Sequence, residues 1–553
     1  MLQALDKFIT NVQFGPHERK VKEYLDGGTQ ESIQQDLHSI LKPKLTQETH
    51  NLNPSTIFDA SCIEDADRQR YWTQNSLSTH IHRTHPTTHI SPSTLTLLWK
   101  CFTFYAHHPF PPPPTTNATK LDATGFERAL ALLVHQWTSL LGTQEDGDCF
   151  WRHDEEFFHR GSVARLLRSI GHQCPSPEGI DIPPSVAPQD GIPSVLDDVI
   201  DVLATTQPYS VNLAPSLIQL EATGRKVLRG STGGESKSTQ YRVSRGEVSD
   251  LMGLLLRMRL QRKKWGRRFH FGGFDEADKH GEALAGAIAG WLVGGEDAAS
   301  EEVWGTVMDA LPNLLLRFHQ LWAVLFRLPM PEVEGEGDAG EEVSPSILAA
   351  VSLFAPIPEL YDFAQARSAH DLRIAFRPVG STSCLTFSDV VKALENEQNP
   401  QLILATNATS PGSSAMIVGA FIPSSPSAMD NINRRTIGET HLLFQLQPEF
   451  RILKWTNPHS LLTSLINSTD ETGPAEVETT SAEVSKKPYY IGEMGKQSAR
   501  LHVDPEASTV TLYGSICEES SAAGYTYVTS HGNEDEDWEV AVEPSKMHVL
   551  SVV

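Results

Sequence analysis

The chain has 553 residues, too many for one hydrophobic core, so about two to four folding units are expected. Hydrophobic residues make up 39% and charged residues 21%, and no run reaches the roughly 18 apolar residues that a membrane span needs. A formal net charge of -24 and a pI near 5.3 exclude a general nucleic-acid binder, which needs a basic footprint.

The opening Met-Leu-Gln-Ala-Leu-Asp-Lys carries charge where a signal peptide needs an apolar core, so a cytoplasmic location is expected. Helical periodicity dominates residues 1–330. It predicts helices over Leu25–Leu41, Ser162–Ile170, Val195–Thr205, Val248–Leu260, Ala277–Val293 and Glu301–Phe326. The best-marked helix runs from about 125 to 141. Thr124-Gly-Phe-Glu127 reads as a capping box, Phe126, Leu130, Leu133, Trp137 and Leu140 follow at steps of three and four, and Gly142 closes it. Pro312, which has no N–H to give, splits or kinks the segment 301–326. Loops near 111–120, 174–194 and 230–240 divide the helices, and 331–345 reads as an acidic solvated linker.

Beyond residue 346 the apolar period shortens to two. Runs at Leu372–Phe376, Leu402–Thr406, Ile417–Ile422, Leu442–Gln447, Ile452–Thr456, Leu501–Val503, Val510–Tyr513, Tyr525–Thr529, Trp538–Val542 and His548–Val553 suggest about ten strands. Strands this short must bury one face against another layer, so an antiparallel β-sandwich is expected over 346–553. Two helices, near Ser388–Leu394 and Pro458–Ile466, and a disordered insertion at 467–487 complete the reading. The fold class is therefore α+β, mostly helical first and sheet-rich after.

The segment 350–553 resembles a TLDc domain, the module of eukaryotic oxidation-resistance proteins. Leu372-Arg-Ile-Ala-Phe376 with Gly380-Ser-Thr-Ser-Cys-Leu-Thr-Phe387 is similar to the family's opening strand and turn. Ile417-Val-Gly-Ala-Phe-Ile-Pro423 matches its G-A-F-x-P hairpin, placing Gly419 and Phe421. Gly438-Glu-Thr-His-Leu-Leu-Phe-Gln-Leu-Gln-Pro448 is similar to its most specific piece, with Gly438, Glu439 and Phe444. Gly492-Glu-Met-Gly495 resembles its glycine-rich turn, and Trp538-Glu-Val its closing strand. The helical region resembles, more loosely, the long fungal members called restriction of telomere capping. The myristoylated Met-Gly start of that subgroup is replaced by Met1-Leu2. The resemblance implies a non-catalytic regulatory protein of the cytoplasm or the vacuolar membrane surface. Its implied partner is the peripheral sector of the vacuolar proton-pumping ATPase, and its implied effect is on pump assembly or oxidative-stress resistance.

Motifs for catalysis are sparse. There is no GxSxG, GxxxxGK[ST], HExxH or strand-borne GxGxxG. Gly147 lacks calcium-loop ligands, since Gly142 and His153 stand where Asp and Glu are required. The histidines His80, His82, His85 and His89 read as a polar loop rather than a metal site. Cys62, Cys101, Cys149, Cys174, Cys384 and Cys517 lie far apart, as reduced thiols do. No cofactor, small-molecule substrate or metal is expected. No base, nucleophile or metal cluster lies near Glu439 in sequence, so a backbone-capping role suits it better than catalysis.

Two other functions remain open. One is an enzyme of oxidative defence using Cys384 or Cys517. The other is a membrane-surface scaffold using the basic cluster 257–268, with Arg262, Lys263, Lys264, Arg267 and Arg268 as anion contacts. Against that scaffold stands the plainer reading of these cations as the solvated C-terminal face of a helix.

Overall fold

A computed structural model describes residues 16–47, 53–112, 120–135, 137–143, 155–175, 193–208, 214–232, 239–262, 269–294, 297–300, 307, 309–326, 343–355, 376–382, 400–407, 415–422, 441–455, 466–468, 488–492, 499–514, 525–528, 538–544 and 546–552. They form an α+β protein in which helices cover one face of an antiparallel sheet and a second antiparallel sheet covers the other.

Helix α1 (16–26) and α2 (Gln30–Gln47) are separated at Gly27–Gly28, so the single helix expected over 25–41 is two. Then come α3 (Pro54–Asp59), α4 (Gln74–Thr84), α5 (Pro92–His107), α6 (Ala123–Val134), α7 (Glu155–Ile170), α8 (Val195–Thr206) and α9 (Leu217–Thr232). The layer ends with α10 (Arg245–Arg257), α11 (Lys279–Val293), α12 (Leu314–Phe326) and α13 (Pro345–Phe354).

The expected helix over 125–141 is corrected at both ends. Asp122, not Thr124, is the N-cap, its carboxylate accepting from the Gly125 N–H at 2.8 Å. The α-helix stops at Val134, and Trp137–Leu140 forms a separate 3-10 turn. Gly142 closes that turn with φ of 80°, a conformation glycine adopts without strain, and gives its N–H to Asp201 O and Thr205 Oγ1 of α8.

Pro312 does end the preceding turn, and α12 begins at Leu314. Every residue of α12 except Leu315 is buried, so this helix is a core rod rather than a one-faced stripe.

The helical region also holds short strands. β1 (Ile63–Glu64) pairs with β2 (Arg70–Tyr71). β3 (His172–Pro175), β4 (Thr239–Ser244) and β7 (Ala298–Ser300) form a three-stranded sheet, and β5 (Met258–Arg262) with β6 (Phe269–Phe274) a hairpin. Strands β3 and β4 thus occupy ends of the expected loops 174–194 and 230–240.

The remaining strands are β8 (Phe376–Thr382), β9 (Gln401–Thr406), β10 (Ile417–Ile422), β11 (Leu442–Gln447), β12 (Arg451–Trp455) and β13 (Ile466–Ser468). They continue as β14 (Tyr489–Gly492), β15 (Arg500–Asp504), β16 (Thr509–Gly514), β17 (Tyr525–Val528), β18 (Trp538–Val542) and β19 (Lys546–Val552). Among the described residues, seven form one sheet in the order β17-β12-β11-β10-β9-β19-β8 and five the other, β13-β14-β15-β16-β18. Asn467 and Ser468, placed by the sequence in a disordered insertion, pair through their backbones with Tyr490 and Tyr489. The rest of 467–487, the helix over 388–394 and nearly all of that over 458–466 lie outside the described residues.

Alternation along the central strands sorts residues between two cores. Leu402, Leu404, Phe421, Leu442, Phe444 and Leu446 pack with the helices. Ile403, Ala405, Val418, Ala420, Leu443 and Leu453 pack with Tyr489, Ile491, Leu501, Val503, Val510 and Leu512 of the second sheet. Covering on both faces explains why β9, β10 and β11 are buried along nearly their whole length rather than polar on alternate positions. Aromatic contacts seat the helical layer on the sheet. Phe354 of α13 lies 5.0 Å from Phe444 and 6.1 Å from Phe450, and Trp291 of α11 lies 5.4 Å from Phe450.

Candidate functional site

Three of the residues carrying the TLDc resemblance, Gly419, Phe421 and Phe444, fall on neighbouring strands of the large sheet. Gly419 on β10 stands opposite Phe444 on β11, and Phe421 stands between Leu402 and Leu442. A Cβ at Gly419 would run into the Ile403 carbonyl and the Phe444 ring, so glycine there lets the ring lie flat over the strand. Gly419→Val should therefore cost about 1–3 kcal/mol by overpacking, read as a lower urea midpoint. An unchanged midpoint would show that the ring moves aside freely.

Gly380 lies on edge strand β8 beside a register irregularity, opposite Val549 of β19. Gly492 ends β14 with φ of 123°, opposite Arg500, and the residues that follow it in the expected glycine-rich turn lie outside the described residues. Gly438, Glu439 and Gly495 lie outside the described residues.

Of the basic cluster, Arg257 stands in the last turn of α10, while Arg259 and Arg262 lie on strand β5. Helix α10 ends at Arg257 and the chain turns directly into β5, because Met258 adopts extended geometry (ψ 128°). Arg257 donates to Asp275 O and His89 O, and Arg259 pairs with the Asp275 carboxylate. Arg257 thus ties the end of the β5–β6 pair to α10 and to the His89 segment, and Arg259 ties β5 to the end of β6. Arg262 is the last residue of β5, and Lys263, Lys264, Arg267 and Arg268 lie outside the described residues.

The histidine-rich segment is mostly helix α4 and its C-cap rather than a loop. The Nε2–H of His80 donates to Leu325 O at 3.2 Å, while its Nδ1 accepts from Arg83 at 3.1 Å. His85 Nε2 donates to Val324 O at 2.9 Å. Both rings satisfy carbonyls left open at the end of α12. Burial, reinforced by Arg83, lowers His80 to about 4, so it is a neutral structural donor. Among the described residues no group of His, Cys, Asp and Glu is arranged to hold a metal.

A polar centre that sequence reading missed lies inside the helical layer. Two helices each contribute two groups one turn apart, a spacing that puts them on a common face, and a third contributes one group with its C-cap residue. They are Tyr105 and His108 at the end of α5, Arg165 and Arg168 on α7, and Asp198 and Asp201 on α8. None is more than 4% exposed.

Arg165 Nη1 donates to Asp198 Oδ1 at 3.0 Å and lies 3.8 Å from Asp201 Oδ2, and Arg168 Nη1 lies 3.2 Å from Asp198 Oδ2. Arg165 Nη2 donates to Ser162 Oγ, and Arg168 Nη2 to Pro193 O, each at 3.0 Å. Burial raises the Asp198 carboxyl above its ordinary value, against the pull of the Arg168 and Arg165 guanidiniums. The visible signal was charge inside apolar runs, as Arg165 and Arg168 interrupt Val163-Ala-Arg-Leu-Leu-Arg-Ser-Ile170.

Cys101 lies nearby with its Sγ 3.1 Å from Ser169 Oγ, and burial pushes it up to about 12. It is a thiol at neutral pH, not an activated nucleophile. Cys384 and Cys517 lie outside the described residues. No family model matches the chain, and no curated protein does.

Proposed function

We propose that the chain is a TLDc-type regulatory protein that acts by binding the peripheral sector of the vacuolar proton-pumping ATPase rather than by catalysis, from the cytoplasm or the vacuolar membrane surface. One observation carries the reading. The resemblance segments at 417–422, 442–447 and 451–455 are adjacent strands β10, β11 and β12, with Gly419 and Phe444 in direct register at the centre. No described helix is long and apolar enough to cross a membrane.

Purified chain is expected to co-sediment with the pump's catalytic sector at micromolar concentration and low salt, raising or lowering the fraction assembled with the membrane sector. Failure to co-sediment under those conditions removes the proposal.

A further inference from the structure

Among the described residues, Leu217, Ile218 and Val379 are the large apolar side chains left exposed, and two of them are neighbours at the start of α9. Ile218 stands 78% exposed and Leu217 44%. Their position is fixed by a closed helix start. The Ser216 N–H donates to Gln219 Oε1 at 2.9 Å, and the Gln219 N–H to Ser216 Oγ at 3.4 Å. The opposite face of α9 is seated in the core. Leu220 and Val227 are buried, and Gly224 lies so close to α8 that a Cβ there would meet Leu196, Val199 and Ile200.

The outward face of α9 changes from apolar to cationic along its length. From Ile218, steps of four, three and four lead to Ala222, Arg225 and Arg229, with the exposed Lys226 beside them. The helix thus carries three cations and one carboxylate, Glu221, in a chain that has 45 cationic and 69 acidic residues. Glu221 pairs with Arg225 at 2.7 Å, whereas Lys226 donates to a backbone carbonyl, that of Asp26, and keeps its charge.

We propose that this face of α9 docks on an anionic lipid bilayer. Ile218 and Leu217 enter between the headgroups, and Lys226 and Arg229 lie against the lipid phosphates. An acidic protein surface would match the cations, but it would need shaped pockets for two neighbouring side chains that stand out from a helix start. A bilayer, anionic at its surface and apolar beneath, takes both without any pocket. Because the chain as a whole is acidic, its attraction to such a surface is local to this face.

Sedimentation of the full chain with vesicles of phosphatidylcholine alone, and of phosphatidylcholine mixed with phosphatidylserine, tests this. No pump is present, so the outcome is read separately from co-sedimentation with the pump. The chain should pellet with the mixed vesicles and stay in solution with phosphatidylcholine alone. Ile218→Asp, a change at an exposed position, should weaken binding to the mixed vesicles about tenfold or more, and Lys226→Glu should weaken it as well. Absence of binding to mixed vesicles, equal binding to both kinds, or undiminished binding of Ile218→Asp overturns the proposal. Retention on immobilised polyglutamate without vesicle binding also overturns it, and gives the face to an acidic protein instead.

Discussion

Asp198→Ala is expected to destabilise the protein by about 3–5 kcal/mol, because it strands two guanidiniums in the core. Asp198 is 1% exposed, accepts from Arg165 on one oxygen and has Arg168 Nη1 at 3.2 Å from the other. Neither arginine can reach water from a position 2% exposed or less. Asp201 reaches only Arg165, at 3.8 Å, so it cannot replace the lost partner. Urea titration is the right measurement, since it leaves ionic strength unchanged.

The informative control replaces the charges together. Arg165→Met, Arg168→Leu, Asp198→Leu and Asp201→Asn in one chain removes the ions together and should be far less costly than Asp198→Ala alone. A loss below about 1 kcal/mol for Asp198→Ala would show the arginines relaxing to other acceptors, and would sink the account of a locked centre.

Acid should weaken the protein as pH falls below about 6.5. His80 has a folded value of about 4 against an ordinary 6.5, and burial lowers His441 to about 3. Between the folded and unfolded values the unfolded chain binds more protons, so stability rises with pH. The contribution is fully present above about 6.5 and is lost as pH falls through about 4 for His80 and about 3 for His441.

For His80 the shift corresponds to about 3 kcal/mol. His80→Gln keeps a donor for Leu325 O but removes the titration, so its stability should fall less steeply between pH 6.5 and pH 4. Superimposable pH profiles for the two chains would refute the assignment.

Local pattern made most strands legible before their partners were known. Leu402–Thr406, Ile417–Ile422 and Leu442–Gln447 read as strands from their apolar runs and are β9, β10 and β11. What local pattern could not give was coverage. Gln401-Leu-Ile-Leu-Ala-Thr looks alike whether one or both faces are buried, and only tertiary packing put helices on one side. Helix ends were missed for a different reason. Thr124 and Asp122 are both good cap types, and the helix starts two residues earlier because Asp122 accepts from the Gly125 amide.

The polar centre joins residues from 105 to 201 that no short window holds together, so its charges looked like interruptions of apolar faces. Of the candidate site, Gly419 and Phe444 were singled out through the family resemblance, and their facing across β10 and β11 came only with the fold. The placing of Arg257 and Arg259 depended on Asp275 across a hairpin whose second strand was not foreseen.

The position of β19 in the large sheet has a consequence for how the protein is made. It lies between β8 and β9, yet it is the last of the seven strands to leave the ribosome. Until it emerges, β8 has no hydrogen-bonded neighbour among the described strands of that sheet and β9 shows one open, apolar edge, the kind of surface that recruits other nascent chains. Synthesis of this protein thus carries a window of vulnerability that spans nearly all of the sheet's translation and shuts only when Lys546–Val552 slots home.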